Sequence, residues 1–190
     1  MEALFVTSNQ NKAREAAEIL GVELRGIALD LPELQSLDFA RVAVAKAAAA
    51  REVLNNPDSP ILVEDSGLVF EAWNGLPGAL TKWFLGSIGN EGLLRMLSTE
   101  SNRSARAVCA VAVAAAGGSV RAFVGEVEGK ISSELRGEGG FGWDQIFIPQ
   151  GHTATYAELG ARKHEDSHRT RALDAAREAL LGGLEAPPVG

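Results

Sequence analysis

Val108-Cys-Ala-Val-Ala-Val-Ala-Ala115 and Val120-Arg-Ala-Phe-Val-Gly-Glu-Val127 stand on either side of Gly117-Gly118 near the middle of the chain. Both runs are valine-rich, and the glycine pair between them supplies the positive φ that a tight hairpin turn demands. They predict two antiparallel strands. Outward from this pair, strand and helix patterns alternate. Ala3-Leu-Phe-Val6 is a short apolar run followed by Thr7-Ser-Asn-Gln-Asn11 and a helical pattern on Ala13, Ala16, Ala17, Ile19 and Leu20, which Gly21 ends. A strand is expected around Val22 to Ile27 and a proline-marked loop at Leu31-Pro-Glu-Leu-Gln35. Phe39 to Leu54, free of glycine and proline, predicts a helix. Pro60-Ile-Leu-Val63 reads as a short buried strand carrying Glu64-Asp-Ser-Gly67 at its end. Lys82-Trp-Phe-Leu85 and Gly92 to Leu97 suggest two short helices, Gly137 to Gly142 a glycine-rich loop before Trp143, and Asp166 to Leu181 a final amphipathic helix. The alternation assigns the α/β class, and the central hairpin argues against an entirely parallel sheet.

A chain of 190 residues with 46% hydrophobic content can bury a sizeable core. One domain over residues 1–183 is expected, with 184–190, ending in Pro187-Pro-Val-Gly190, as a tail. A net charge of −7 argues against non-specific binding to DNA or RNA, whose affinity comes from neutralising phosphates with surface lysine and arginine. No apolar stretch is long enough to span a bilayer and no signal-peptide pattern opens the chain, so no membrane association and a cytoplasmic location are expected. Cys109, the lone cysteine, lies in an apolar run and reads as a packed side chain rather than a nucleophile.

Four clusters can carry chemistry. Thr7-Ser8-Asn9-Gln10-Asn11-Lys12 stands where a strand hands over to a helix, so it is either an anion site of backbone N–H groups plus a lysine, or an ordinary cap by Ser8 or Asn9 with Lys12 in solvent. It is not a Walker A loop, because the glycines and the Gly-Lys-Ser/Thr ending are absent. Adjacent Glu64 and Asp65 alternate in direction along a strand, so at least one can face a cleft; the alternative is a turn in which Asp65 caps local backbone. With Glu33 from the proline loop, they offer the oxygen ligands that suit magnesium. Phe141-Gly-Trp-Asp144 suits stacking on a flat base, or else forms aromatic core at a strand start. Ser167-His-Arg169 heads the last helix, as a functional group or as a cap with two solvated side chains.

Taken in order, these pieces resemble the inosine triphosphate pyrophosphatase (Ham1-like) family. The resemblance runs from residue 3 to about 181 and lies in Thr7-Ser-Asn-x-x-Lys12 with Glu15, Leu31-Pro-Glu-Leu-Gln35, Val63-Glu-Asp-Ser-Gly-Leu68, Gly75-Leu-Pro-Gly78 with Lys82-Trp-Phe84, Phe141-Gly-Trp-Asp144, Thr155-Tyr-Ala-Glu158 and Ser167-His-Arg169. It implies a long, bent mixed sheet flanked by helices, two lobes with a central cleft, and a homodimer. The implied activity is magnesium-dependent hydrolysis of damaged purine nucleoside triphosphates, ITP, dITP and XTP, to the monophosphate and pyrophosphate. By the same resemblance, Thr7 to Lys12 with Lys46, Ser66, Lys82 and Lys163 bind the phosphates; four lysines would match the charge of a triphosphate. Glu33 and Asp65 hold the metal, with Asp65 as the catalytic carboxylate and Glu64 behind it. Phe141 and Gly142 with Trp143 form the wall against the base, and Asp144, His168 and Arg169 line its edge. The chain departs from the family pattern at Gln145, where proline is usual, across Leu37 to Val44, and at His164-Glu-Asp166. Two rivals fit less well. A Maf-type pyrophosphatase lacks the Phe-Gly-Trp-Asp and Ser-His-Arg pair, and a catalytically silent nucleotide-binding module has no need of Glu33 and Asp65.

Overall fold

Ten consecutive residues, Ile61–Phe70, form strand β3 in the computed structural model, which describes residues 3–55, 58–115 and 118–181. Every other strand is placed relative to it, directly or through one or two neighbours. Ala3–Val6 (β1) runs parallel to β3 and to Leu24–Ile27 (β2). Ser104–Ala114 (β5) lies antiparallel on the other side, Val120–Ile131 (β6) antiparallel to that, and Phe147–Pro149 (β7) at the far edge. The two-residue strand Pro77–Gly78 (β4) pairs with Leu68 and Val69 of β3. The result is a mixed seven-stranded sheet in the order β2-β1-β3-β5-β6-β7. The expected hairpin is present as the β5–β6 ladder, in register from Ser104↔Lys130 to Ala114↔Val120. Its turn residue Gly117, and the tail from 184 onward, lie outside the described residues.

The period-2 alternation of the strands separates two faces. On one, Leu4, Val6, Ile61, Val63, Val108, Ala110, Ala112 and Ala114 pack against helix α2, Phe39–Val53. That helix presents Ala43, Ala47 and Ala50, all without exposed surface, at helical spacing; the small side chains seat it close to the strands. On the other, Phe5, Leu62, Cys109, Val111 and Val113 pack against α1 (Gln10–Leu20) and the last helix, α5 (His168–Leu181). Gly21 ends α1 in the left-handed conformation at φ 66°. Arg177 of α5 donates to the carbonyls of Ile19 and Leu20, tying the two helices together. A third apolar cluster continues this second face beyond Leu68 and Phe70, built from Leu93, Leu97, Trp143, Phe147 and Tyr156.

The structure corrects the expectation that the strand at Val63 ends there with its carboxylates at the tip. Glu64 and Asp65 sit in mid-strand, registered against Val111 and Ala110 of β5, and the apolar run resumes at Leu68. The break in hydrophobicity looks like a boundary in sequence because only other parts of the chain supply the cations that make it tolerable. The two short helices expected after Lys82 are the halves of α3, Thr81–Met96, separated by the non-helical Gly89. Trp143 and Asp144 precede β7 in a turn rather than opening a strand. A four-residue helix, α4 (Tyr156–Leu159), starts in a capping box of Thr155 and Glu158. Among the described residues, no helix is long and apolar enough to cross a membrane.

Gly125 of β6 fixes how closely α5 can approach. A Cβ there would stand 2.2 Å from the His168 carbonyl oxygen and 2.5 Å from the Ala172 amide nitrogen, both backbone atoms that cannot turn aside. Gly125→Ala is therefore expected to lower stability by about 1–3 kcal/mol through overpacking, read from urea denaturation.

Candidate active site

A cavity of about 810 Å³ opens at the β1–α1 junction and the middle of β3. Most residues singled out in the sequence converge on it: Thr7, Ser8, Asn9 and Lys12 from the first junction, Glu33 and Lys46, Asp65 and Ser66, Lys82, Phe141 to Asp144, and His168 with Arg169. Gln10, Asn11 and Lys163 are not among its lining residues. At the head of α1, the Asn9 side-chain oxygen accepts from the backbone N–H groups of Asn11 and Lys12 at 3.0 and 3.3 Å. Those amides are thus engaged by the cap, of the two candidates Asn9 rather than Ser8.

Strand alternation sends the adjacent carboxylates to opposite faces. Glu64 follows the parity of Leu62 and faces α5; Asp65 follows Val63 and faces α2. Glu64 is buried, and Arg169 donates to both its oxygens at 2.8 Å while Lys12 lies 3.1 Å away. Burial alone would raise the Glu64 carboxyl, but Arg169 and Lys12 outweigh it and hold it well below the usual carboxylate range. The remaining arm of Arg169 reaches Glu15 of α1, which also accepts from Lys163 at 2.8 Å. Lys163 in turn binds Asp144 at 2.6 Å, and the same Asp144 oxygen accepts the Phe141 backbone N–H at 3.1 Å. His168 and Arg169, alternatives as solvated side chains in sequence, are each 3% exposed.

This chain of pairs positions the aromatic wall. Lys163 and Arg169 stand 5.0 and 5.4 Å from the centre of the Phe141 ring. Trp143 packs edge-on to Phe147 and is tilted against His168. Neither ring nitrogen of His168 has a hydrogen-bond partner, and burial, reinforced by Arg169, pushes its pKa well below the ordinary value, so the imidazole is neutral.

On the α2 side the arrangement is looser. Glu33 lies in the loop before α2, and one of its oxygens is shared by Lys82 at 2.9 Å and Lys46 at 3.6 Å. Burial is the largest single influence and would raise this carboxyl, but the two lysines together outweigh it and hold it low. Lys82 is brought there by a close approach at Gly67, where a Cβ would meet Gly78 O and the Thr81 hydroxyl at 2.5 Å. That hydroxyl accepts the Leu68 N–H and donates to Gly78 O, seating the start of α3 on β3. Asp65 differs from every other carboxylate here: its Oδ2 is buried without any hydrogen-bond partner. Burial drives its pKa up to about 6, against the opposing pull of Lys12 and Lys46.

The site therefore holds no surplus of positive charge. Lys12, Lys46, Lys82, Lys163 and Arg169 face Glu15, Glu33, Glu64 and Asp144, with Asp65 beside them and Asp30 also lining the cavity. The lysines alone cannot explain attraction of a triphosphate, as the sequence suggests, because each is already matched by a carboxylate. Among the described residues, no group of three or more histidine, cysteine or acidic side chains is placed to hold a metal. Glu33 and Asp65 can instead offer one or two carboxylates to a hard cation that takes its other oxygens from water and phosphate. Sequence reading missed the scale of the buried network and the part of Glu15 in it; the available signal was a glutamate among the alanines of the apolar face of α1.

The Ham1 family model matches residues 3–179. The chain is 44% identical over 182 residues to the dITP/XTP pyrophosphatase of Methanopyrus kandleri, covering 94% of this chain and 95% of that protein. It is 41% identical over 190 residues to the inosine triphosphate pyrophosphatase of Saccharomyces cerevisiae, covering 94% and 95%. Its fold is similar to that of the Staphylococcus aureus Ham1 protein, with a TM-score of 0.80 at 28% identity over 97% of this chain and 100% of that one.

Two measurements test the electrostatics. Arg169→Met takes the arginine from two buried carboxylates, leaving Glu64 only Lys12 and Glu15 only Lys163 as close cationic partners besides His164, and is expected to cost about 3–5 kcal/mol, read from denaturant unfolding. Because the Asp65 pKa is raised from 3.8 to about 6 by folding, its contribution to stability is full below 3.8 and is lost as pH rises through about 6. Asp65→Asn should remove that segment of the pH–stability curve and leave the melting temperature at pH 7 no lower than that of the parent protein.

Proposed function

The chain belongs to the Ham1 family, and from that membership we propose that the cavity hydrolyses damaged purine nucleoside triphosphates, ITP, dITP and XTP, to monophosphate and pyrophosphate. The observation that carries this reading is Asp65, which lines the cavity that the phosphate and base candidates share and whose Oδ2 is buried without a hydrogen-bond partner. A buried carboxylate oxygen left without a partner is costly and marks a site whose partner arrives from outside.

Glu33 and Asp65 fit magnesium in donor type and number, and they would be the side chains that hold it. Magnesium, when bound, withdraws charge from the phosphate oxygens and acidifies coordinated water. The protein's own groups do the remainder. Asp65 orients the water that attacks the α-phosphorus, and Lys12, Lys46 and Lys82 offset charge on the oxygens of the departing pyrophosphate. Attack at the α-phosphorus opens the α–β anhydride bond, so pyrophosphate leaves as one piece.

Base selection follows from what the far end of the cavity can donate. Phe141 stacks on the purine, with Trp143 behind it and Gly142 turning the backbone between them at φ 61°. The neutral His168 offers one ring N–H, and Arg169 keeps donors beyond those given to Glu64 and Glu15. Hypoxanthine and xanthine carry a carbonyl at C6 that accepts such donors, whereas adenine presents an amino group that leaves them unpaired. Lys163 and Asp144 act by holding the Phe141 turn in place.

Asp65→Asn is expected to reduce pyrophosphate release by at least about 100-fold, as loss of a group acting on the attacking water does. In a panel of ITP, dITP, XTP, GTP, ATP and UTP, kcat/KM should be highest for ITP, dITP or XTP and lowest for ATP and UTP. A preference for ATP or for pyrimidines overturns the reading.

A further inference from the structure

Glu33 is offered to a metal, yet one of its oxygens already serves two ammonium groups, Lys82 at 2.9 Å and Lys46 at 3.6 Å. A divalent cation arriving alone therefore meets two positive charges beside this carboxylate, which repel it. A polyphosphate changes the balance, because its oxygens are stronger partners for lysine than a single shared carboxylate oxygen. Lys82 is free to make the exchange: its side chain is 70% exposed at the start of α3, on a flexible four-carbon stem. Glu33 sits in a segment without helix or strand, so little structure opposes its release.

We propose that Lys82, with Lys46, masks Glu33 in the nucleotide-free protein and passes to the phosphates when nucleotide binds, so that the metal position opens only together with the substrate. The inference rests on Glu33 as a metal-holding side chain, the reading given above. It accounts for the absence of surplus positive charge: the site is balanced while empty, and the charge that a triphosphate brings is met by lysines released from Glu33 and by the cation that takes their place. By linkage, nucleotide and cation raise each other's affinity, and neither binds well alone. Free magnesium then does not occupy the site ahead of substrate.

The test is a gain of metal binding on removing a lysine. Manganese(II), which takes the same oxygen ligands, is titrated alone into the nucleotide-free protein and free ion is read by electron paramagnetic resonance. Lys82→Met should tighten manganese binding by about 3-fold, the scale of one exposed ion pair, and the Lys46→Met/Lys82→Met double variant by roughly 10-fold or more. Lys82→Arg, which keeps the mask, should bind as the parent does, and adding Glu33→Gln to Lys82→Met should erase the gain. Unchanged affinity in both lysine variants overturns the masking, as does a gain that survives Glu33→Gln. ITP hydrolysis by Glu33→Gln is followed in parallel: a rate equal to the parent's removes Glu33 as a metal-holding side chain, a failure distinct from the loss of the mask.

Discussion

Arg169, buried between Glu64 of β3 and Glu15 of α1, is the interaction on which the site depends. It joins the head of the last helix to the central strand and to the first helix, three elements far apart in the chain. Isolated, any one of these charges would be too costly to bury. Together with Lys12 and Lys163 they form a connected set in which each carboxylate meets at least one cation, and the set stands where the apolar cluster around Leu62 gives way to the one around Leu68. Such a network is weak grounds for extra stability, because desolvation consumes most of the attraction. Its effect is geometric: it dictates where Phe141, His168 and Lys12 stand.

The alternation of one strand divides the labour. Glu64, turned toward α5, is saturated and organises the wall against the base. Asp65, one residue on and turned toward α2, is left with an unpartnered oxygen and a raised pKa. Two carboxylates adjacent in sequence thus have opposite electrostatic fates, and the difference comes from what lies across each face of the sheet rather than from the residues themselves.

Charge balance gives the phosphate end its character. The protein is acidic overall, and even its cavity matches lysine with carboxylate, so recognition of a polyanion rests on exchange of partners more than on a standing positive field. The singly held contacts at Glu33, with Lys82 exposed and Lys46 partly buried, are the ones able to exchange. The buried contacts of Lys163 and Arg169, each to two carboxylates, are not.

Much of this was legible in sequence. The valine runs around Gly117-Gly118 specify paired strands, Gly21 ends α1, and the glycine- and proline-free stretch from Phe39 to Leu54 specifies a helix, because backbone geometry and hydrophobic period are local properties. The residues that converge on the cavity could also be named, since their types suit phosphate, metal and base. What only the tertiary structure decided is which charges meet. Strand β3 continues through Glu64 and Asp65, His168 and Arg169 are buried instead of solvated, and the lysines are already paired. These outcomes depend on contacts across as many as 154 positions, Glu15 to Arg169, and a one-dimensional pattern carries no record of which distant ion will offset the cost of burying a near one.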